Sequence, residues 1–318
     1  MTKNLLNREN NKFIKKSNVI VRAVTNECAG IMTQRLFNFA ILSSIGKLDW
    51  NKQEKHKYLE CWITDFCKYY GIAEKQLYDK VIHKNKEMTV IQKEIQILTQ
   101  MQFFLFDETK DRFEFVNLFL RGGNDQGKIY LEVHQTLIAE HYLNLKSDYT
   151  NVYLPYTKAV TSKYSLRLYE YLRSYLYMNA KTQKIPNFNH EWNFEKLAKI
   201  LNLSLNSSYF KYISKLKKNI LEPVKKDLQK TDIIFTYELI KVGRKYSKII
   251  LNTHLDLEKF NAQNPELEKV PTKKENKEYA NKSKLTASIF KKQKNQIIER
   301  PILSDEQLQD ILGSIDSD

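Results

Sequence analysis

Projected at the helical step of about 100° per residue, Lys211, Lys215 and Lys218 fall on one side of the segment from Ser207 to Val224, with Ser208, Tyr212 and Asn219 beside them. Phe210, Ile213, Ile220 and Val224 fall on the other. Long cationic stems at that spacing suit a polyanion, and the neighbouring hydroxyls, phenol and amide can hydrogen-bond the edges of bases. A lysine stripe is also the ordinary solvated face of an amphipathic helix. The first meaning gains from a second basic cluster, Arg244, Lys245 and Lys248, close behind it. Pro223 cannot donate a backbone hydrogen bond, so a kink or break is expected there.

The charge is unevenly spread. The chain of 318 residues carries 52 basic and 37 acidic side chains, a net +15. Residues 1–150 hold 22 basic and 18 acidic groups, residues 151–260 hold 20 and 9, and residues 261–318 hold ten of each. A domain-sized segment at +11 repels itself unless an anionic partner is at hand.

Other chemistries find little support. Gly122-Gly123-Asn124-Asp125-Gln126-Gly127-Lys128 has the spacing of a phosphate loop, but Ile129 follows where a metal-binding hydroxyl belongs, and the next residues alternate as a strand. It reads as a hairpin turn. The six histidines never form His-x-His, the pair with which a rolling-circle nickase holds its metal. His-Glu-x-x-His and Gly-x-Ser-x-Gly are also absent, so no catalytic residue, cofactor or metal is expected. Cys28, Cys61 and Cys67 lack a Cys-x-x-Cys pair and read as buried thiols of a reducing compartment. With no leader-like segment and no long apolar run, the expected location is cytoplasmic.

The elements that must position these residues follow one order twice. After a polar arm, Thr33 reads as the cap of a helix burying Leu36, Phe37, Ala40, Ile41 and Ile45; helical patterns follow over Tyr58–Tyr70, Ala73–Glu87 and Thr89–Met101. Phe103–Phe106, Phe113–Leu120 and Ile129–Val133 read as strands, and about Gln135–Leu145 as a closing helix. In the second half a helix over Ser162–Tyr177 places Tyr164, Leu168, Leu172 and Tyr175 on one face. Asn193 caps a short helix burying Phe194, Leu197, Ala198 and Leu201, and the turn Asn202–Asn206 leads to the lysine helix. Strands Ile233–Lys241 and Tyr246–Asn252 then flank a Gly243 turn. The expected fold is α+β: two tandem winged helices, each a helix–turn–helix with a β-hairpin wing. The expected divisions are an arm at 1–17, domains at 18–150 and 151–260, and a mobile tail at 261–318, with an apolar stripe and a capping box at 304–315.

Two runs resemble a known family. Ser162-Lys163-Tyr164-Ser165-Leu166-Arg167-Leu168-Tyr169-Glu170-Tyr171-Leu172 is similar to the signature of the Rep_3 plasmid replication initiators, as is Leu216-Lys217-Lys218-Asn219-Ile220-Leu221-Glu222-Pro223-Val224-Lys225-Lys226-Asp227-Leu228. Tyr237 to Lys245 resembles the family's wing. The resemblance runs from about Ser17 to His254 and implies a non-enzymatic initiator of theta-type replication. Such a protein binds directly repeated origin sequences (iterons), opens AT-rich DNA, and recruits the host initiator and replicative helicase. A dimer formed through the first winged helix represses its own gene. Carried over by position, the second recognition helix is Ser207–Asn219, including Ser207 itself, with its wing at Lys241–Lys248. The first is about Ala73–Lys86, bearing Lys75, Gln76, Lys80 and Lys84. A transcriptional regulator without initiator activity, or an origin-nicking rolling-circle enzyme, are the competing readings.

Overall fold

A computed structural model describes residues 13–26, 29–45, 56–107, 112–134, 145, 148–183, 187–243 and 245–264. Strand β1 (Phe13–Ser17) is followed by helix α1 (Asn18–Arg22), the short strand β2 (Val24–Thr25) and helix α2 (Ile31–Ser44). Gly30, not Thr33, stands at the start of α2; Thr33 lies buried within its first turn, where its hydroxyl donates to Glu94. Leu36, Phe37, Ala40 and Ile41 are buried as expected, and Ile45 packs half-buried against the core.

The next segment departs from a single helix. Lys57–Trp62 is strand β3, and only Ile63–Tyr70 is helix α3, ended by left-handed Gly71. Lys57, Leu59 and Cys61 are buried while Tyr58, Glu60 and Trp62 turn outward, the two-residue period of a strand. Helix α4 covers only Glu74–Tyr78, and the rest of the expected third helix is a ribbon, β4 (Lys80–His83) and β5 (Lys86–Thr89). Its turn residues Lys84 and Asn85 have φ of 47° and 62°, as a two-residue hairpin turn demands. Helix α5 (Val90–Gln100) begins with a capping box in which Thr89 and Gln92 bond each other's backbone.

Strands β6 (Gln102–Asp107), β7 (Arg112–Asn117), β8 (Phe119–Asp125) and β9 (Lys128–Val133) follow. The glycine-rich segment is the end of β8 and its turn, as the sequence indicates. Gly122 is required by close approach: a Cβ there would meet Leu131 at 2.8 Å, Thr99 at 3.0 Å and Ile95 at 3.1 Å, the last two on α5. The expected helix at Gln135–Leu145 lies outside the described residues except for Leu145.

The second half runs through β10 (Tyr149–Tyr153), α6 (Leu154–Ala159), α7 (Lys163–Gln183), β11 (Asn187–Asn193) and α8 (Phe194–Leu201). It continues with α9 (Ser208–Lys211), α10 (Ile213–Leu216), a π turn (Lys217–Leu221) and α11 (Glu222–Leu228). Strands β12 (Ile233–Val242) and β13 (Lys245–Leu255) and helix α12 (Leu257–Gln263) end it. The tail from 265, with the stripe at 304–315, lies outside the described residues.

Each half holds the same three-stranded antiparallel sheet: β3–β9–β8 in the first and β11–β13–β12 in the second. In both, the strand before the second helix pairs with the last strand, and the hairpin forms the wing. β1 pairs with β10, and β2 joins a further sheet with β6 and β7. One core cluster extends from Ile14 to Phe260. Its axis is α7, which is buried well beyond one face: Leu166, Tyr169, Leu176 and Tyr177 are enclosed as fully as Leu168 and Leu172. A helix apolar on nearly all sides belongs between two layers, and α7 packs on α1 and α2 of the first half as well as on α8 and β11.

Candidate nucleic-acid interface

Two arginines, half-buried Arg167 and buried Arg173, hold the second half's frame. Arg167 donates to the carbonyls of Val21, Ala23 and Ile200 at 2.7, 2.5 and 3.0 Å, clamping α7 to the first half and to the end of α8. Arg173 is wholly enclosed, pairs with Asp232 and donates to the Asn151 carbonyl at 2.5 Å. Lys16 bridges Glu170 at 2.6 Å and Asn38 at 3.1 Å. Buried charges persist only when paired and hydrogen-bonded, so Arg167 and Glu170 of the run Ser162–Leu172, and Arg173 just beyond it, are cross-links between layers.

On this frame the helix–turn–helix forms as expected. Asn193 caps α8 by accepting from the Lys196 N–H at 2.8 Å, and left-handed Asn202 ends it. The lysine helix is broken rather than continuous. Tyr212, at φ −123° and ψ 96°, separates α9 from α10. The anticipated irregularity at Pro223 takes the form of a π turn just before it. There the Glu222 N–H reaches back five residues to the Lys217 carbonyl. The wider turn accommodates the proline ring and its missing donor.

Despite the break, the two faces separate. Leu216, Ile220, Leu221 and Val224 are buried, Phe210 and Ile213 half-buried, while Ser208, Lys211, Tyr212, Lys215, Lys218 and Asn219 are exposed. The Lys211 and Lys215 ammonium groups lie 5.6 and 5.0 Å from the Tyr212 ring centroid, a cation–π arrangement that gathers both charges around one exposed aromatic. Ser207 starts α9, its hydroxyl oxygen enclosed without a partner. Lys217 and Ser214 are exposed as well; on an unbroken helix Ser214 already falls beside the lysines, whereas Lys217 falls on the apolar side.

On the wing, Lys248 pairs with Glu191 at 2.7 Å, which weakens its attraction for an outside anion. Lys245 begins β13, and Arg244 lies outside the described residues. Lys241, at the start of the expected wing, is exposed on β12 with its ammonium 5.0 Å from the Tyr246 ring.

The first half does not bring its four sequence candidates onto one helix. Lys75 and Gln76 are exposed on α4, Lys80 on β4 is paired with Glu87 at 2.5 Å, and Lys84 sits in the ribbon's turn. By position in the fold the third helix is α5, which packs on β8. It offers Gln92, Gln96, Thr99 and Gln100 and no surplus charge, since Lys93 lies 3.3 Å from Glu94. The signal for the ribbon was Val81-Ile82 ahead of Lys84-Asn85, β-branched residues before a left-handed-tolerant Asn.

Among the described residues no cluster of His, Cys, Asp and Glu could hold a metal ion, and no helix is long and apolar enough to cross a membrane. Cys61 and Cys67 are buried free thiols; Cys28 lies outside the described residues.

No curated protein matches the chain. Its first half matches the family described as "Initiator Replication protein, WH1" over residues 13–173, and its second the family described as "Initiator Rep protein, WH2" over residues 193–252. Two copies of one helix–turn–helix and wing, a basic third helix in the second copy, and these two matches agree: the chain belongs to the Rep_3 family of plasmid replication initiators, built as tandem winged helices.

Proposed function

We propose that the protein initiates theta-type plasmid replication by binding directly repeated origin sequences as a monomer, through both winged helices, without catalysing a reaction itself. The observation that carries this reading is the exposed face of α9, α10 and the π turn. Lys211 and Lys215 flank Tyr212 there, Lys217 and Lys218 are exposed farther along the segment, and among the described residues none of the four meets a carboxylate within ion-pair distance. Lysines on phosphates would set register, and Tyr212 and Asn219 would meet base edges.

Bound monomers would then open AT-rich DNA and recruit the host initiator and replicative helicase in the cytoplasm. A dimer joined through the first half would repress the gene. An edge strand, β7, with Phe113 and Phe115 exposed beside Phe104, supports self-association there.

A plasmid whose only origin is the DNA flanking the gene tests the reading. It should replicate when the protein is supplied, and footprints should repeat at a fixed spacing. Binding and repression without replication would leave a transcriptional regulator. Nicked circles from supercoiled origin DNA and a divalent metal would reveal an enzyme instead.

A further inference from the structure

The ribbon β4–β5 lies along the flank of α5. Its base is closed by the Val90 N–H donating to the Asp79 carbonyl at 3.0 Å. At its tip the Lys84 ammonium donates to Gln100 Oε1 at 3.4 Å, at the far end of the helix. Val81, His83 and Met88 form its half-buried inner face. Nothing comparable separates α8 from α9, where the connection is the short turn from Asn202 to Ser207.

Groove width makes this insertion consequential. The major groove of B-DNA, about 12 Å wide, admits one α-helix or one two-stranded ribbon. A helix with its side chains already spans about 10–12 Å. Helix and ribbon side by side therefore cannot both enter. The polar side chains of α5 are largely engaged within the protein: Gln92 in the capping box, Gln100 by Lys84 and Lys93 beside Glu94. The ribbon instead presents Asn85, Lys86 and Ile82, the last 81% exposed on its outer face.

We propose that in the first half the ribbon β4–β5, rather than α5, enters the major groove, with Ile82 against thymine C5-methyl groups and Lys86 at a flanking phosphate. This rests on the DNA-binding reading above. Apolar contact with the thymine methyl is one of the direct readouts that groove offers. A two-residue turn of left-handed residues keeps the ribbon in one shape for that purpose.

The test is selection of binding sites by the full chain from a random duplex pool, followed by replacement of each selected thymine by uracil. At one or more positions uracil should lower wild-type affinity about fourfold, the worth of one buried methyl. The Ile82→Ala chain should lose about as much on thymine DNA and be indifferent to uracil there. Gln96→Ala, at a half-buried position of α5 between the exposed Gln92 and Gln100, should leave the selected sequence unchanged. A wild-type chain indifferent to uracil, Ile82→Ala responding to uracil as the wild type does, or a changed sequence with Gln96→Ala would each overturn the ribbon's role while leaving DNA binding intact. Failure to enrich any sequence would defeat the DNA-binding reading and the ribbon's role with it.

Discussion

The two halves share a frame and differ in what they mount on it. Sheet orders β3–β9–β8 and β11–β13–β12 are the same arrangement, and a third helix precedes the wing in each. In the second half a tight turn delivers the chain to a helix that is basic, broken at Tyr212 and widened before Pro223. In the first half a small helix and a ribbon intervene, and the third helix is regular, capped and nearly neutral. The frame is thus set by core packing, while the exposed surface mounted on it is free to diverge.

The sharpest way to break the comparison is through buried polar pairs. Arg173→Met leaves Asp232 buried without its partner and should cost about 3–5 kcal/mol in urea unfolding. Thr33→Val, which removes the first half's hydroxyl donor to Glu94, should cost about 1–3 kcal/mol. Equal losses would show that the two halves are anchored alike.

Binding separates them next. Replacing Lys211, Lys215 and Lys218 with alanine should flatten the slope of log affinity against log salt by about 0.9 for each DNA phosphate that no longer has a lysine on it. Lys75→Ala with Lys80→Ala should change it by less than about one unit, because Lys80 already faces Glu87. An unchanged slope in the triple variant would show that the lysine face is only a solvated surface.

Gly122→Ala probes how tightly α5 is seated on β8. The added methyl meets Leu131, Thr99 and Ile95 at 2.8–3.1 Å and should cost about 1–3 kcal/mol, read from the thermal midpoint. A neutral result would mean that α5 shifts freely on its sheet.

The smallest effect is on pH. Burial pushes the Asp227 carboxyl up, but Lys230 and the Thr161 N–H and hydroxyl outweigh it and hold the carboxyl below its usual range. Its contribution is therefore complete above the unfolded value near 4 and fades as pH falls through the lower folded value. Asp227→Asn should shrink the loss of stability between pH 5 and about pH 2. An identical acid profile would remove this carboxylate from the link between α7 and α11.

The second half was largely legible because its signals are local. Asn193 caps, Asn202 turns, and the apolar positions of α8 recur at helical spacing. The first half was harder where strand and helix share an apolar run. Lys57–Trp62 flows into Ile63 without Gly or Pro, so only the alternate burial of Leu59 and Cys61 separates β3 from α3. Val81 and Ile82 suit a helix's inner face as well as a ribbon, and only the left-handed Lys84-Asn85 pair decides. The roles of Arg167 and Arg173 were illegible, since their partners lie far along the chain.

The clamp of Arg167 on Val21, Ala23 and Ile200 has a mechanical meaning. With α7 shared by both cores, the two DNA-contacting surfaces proposed above would be the jaws of a caliper whose gauge is set by the protein. A target must then present its two contacted segments at one separation. Inserting five base pairs, about half a helical turn, between them would carry one segment to the opposite side of the duplex, out of reach of its jaw.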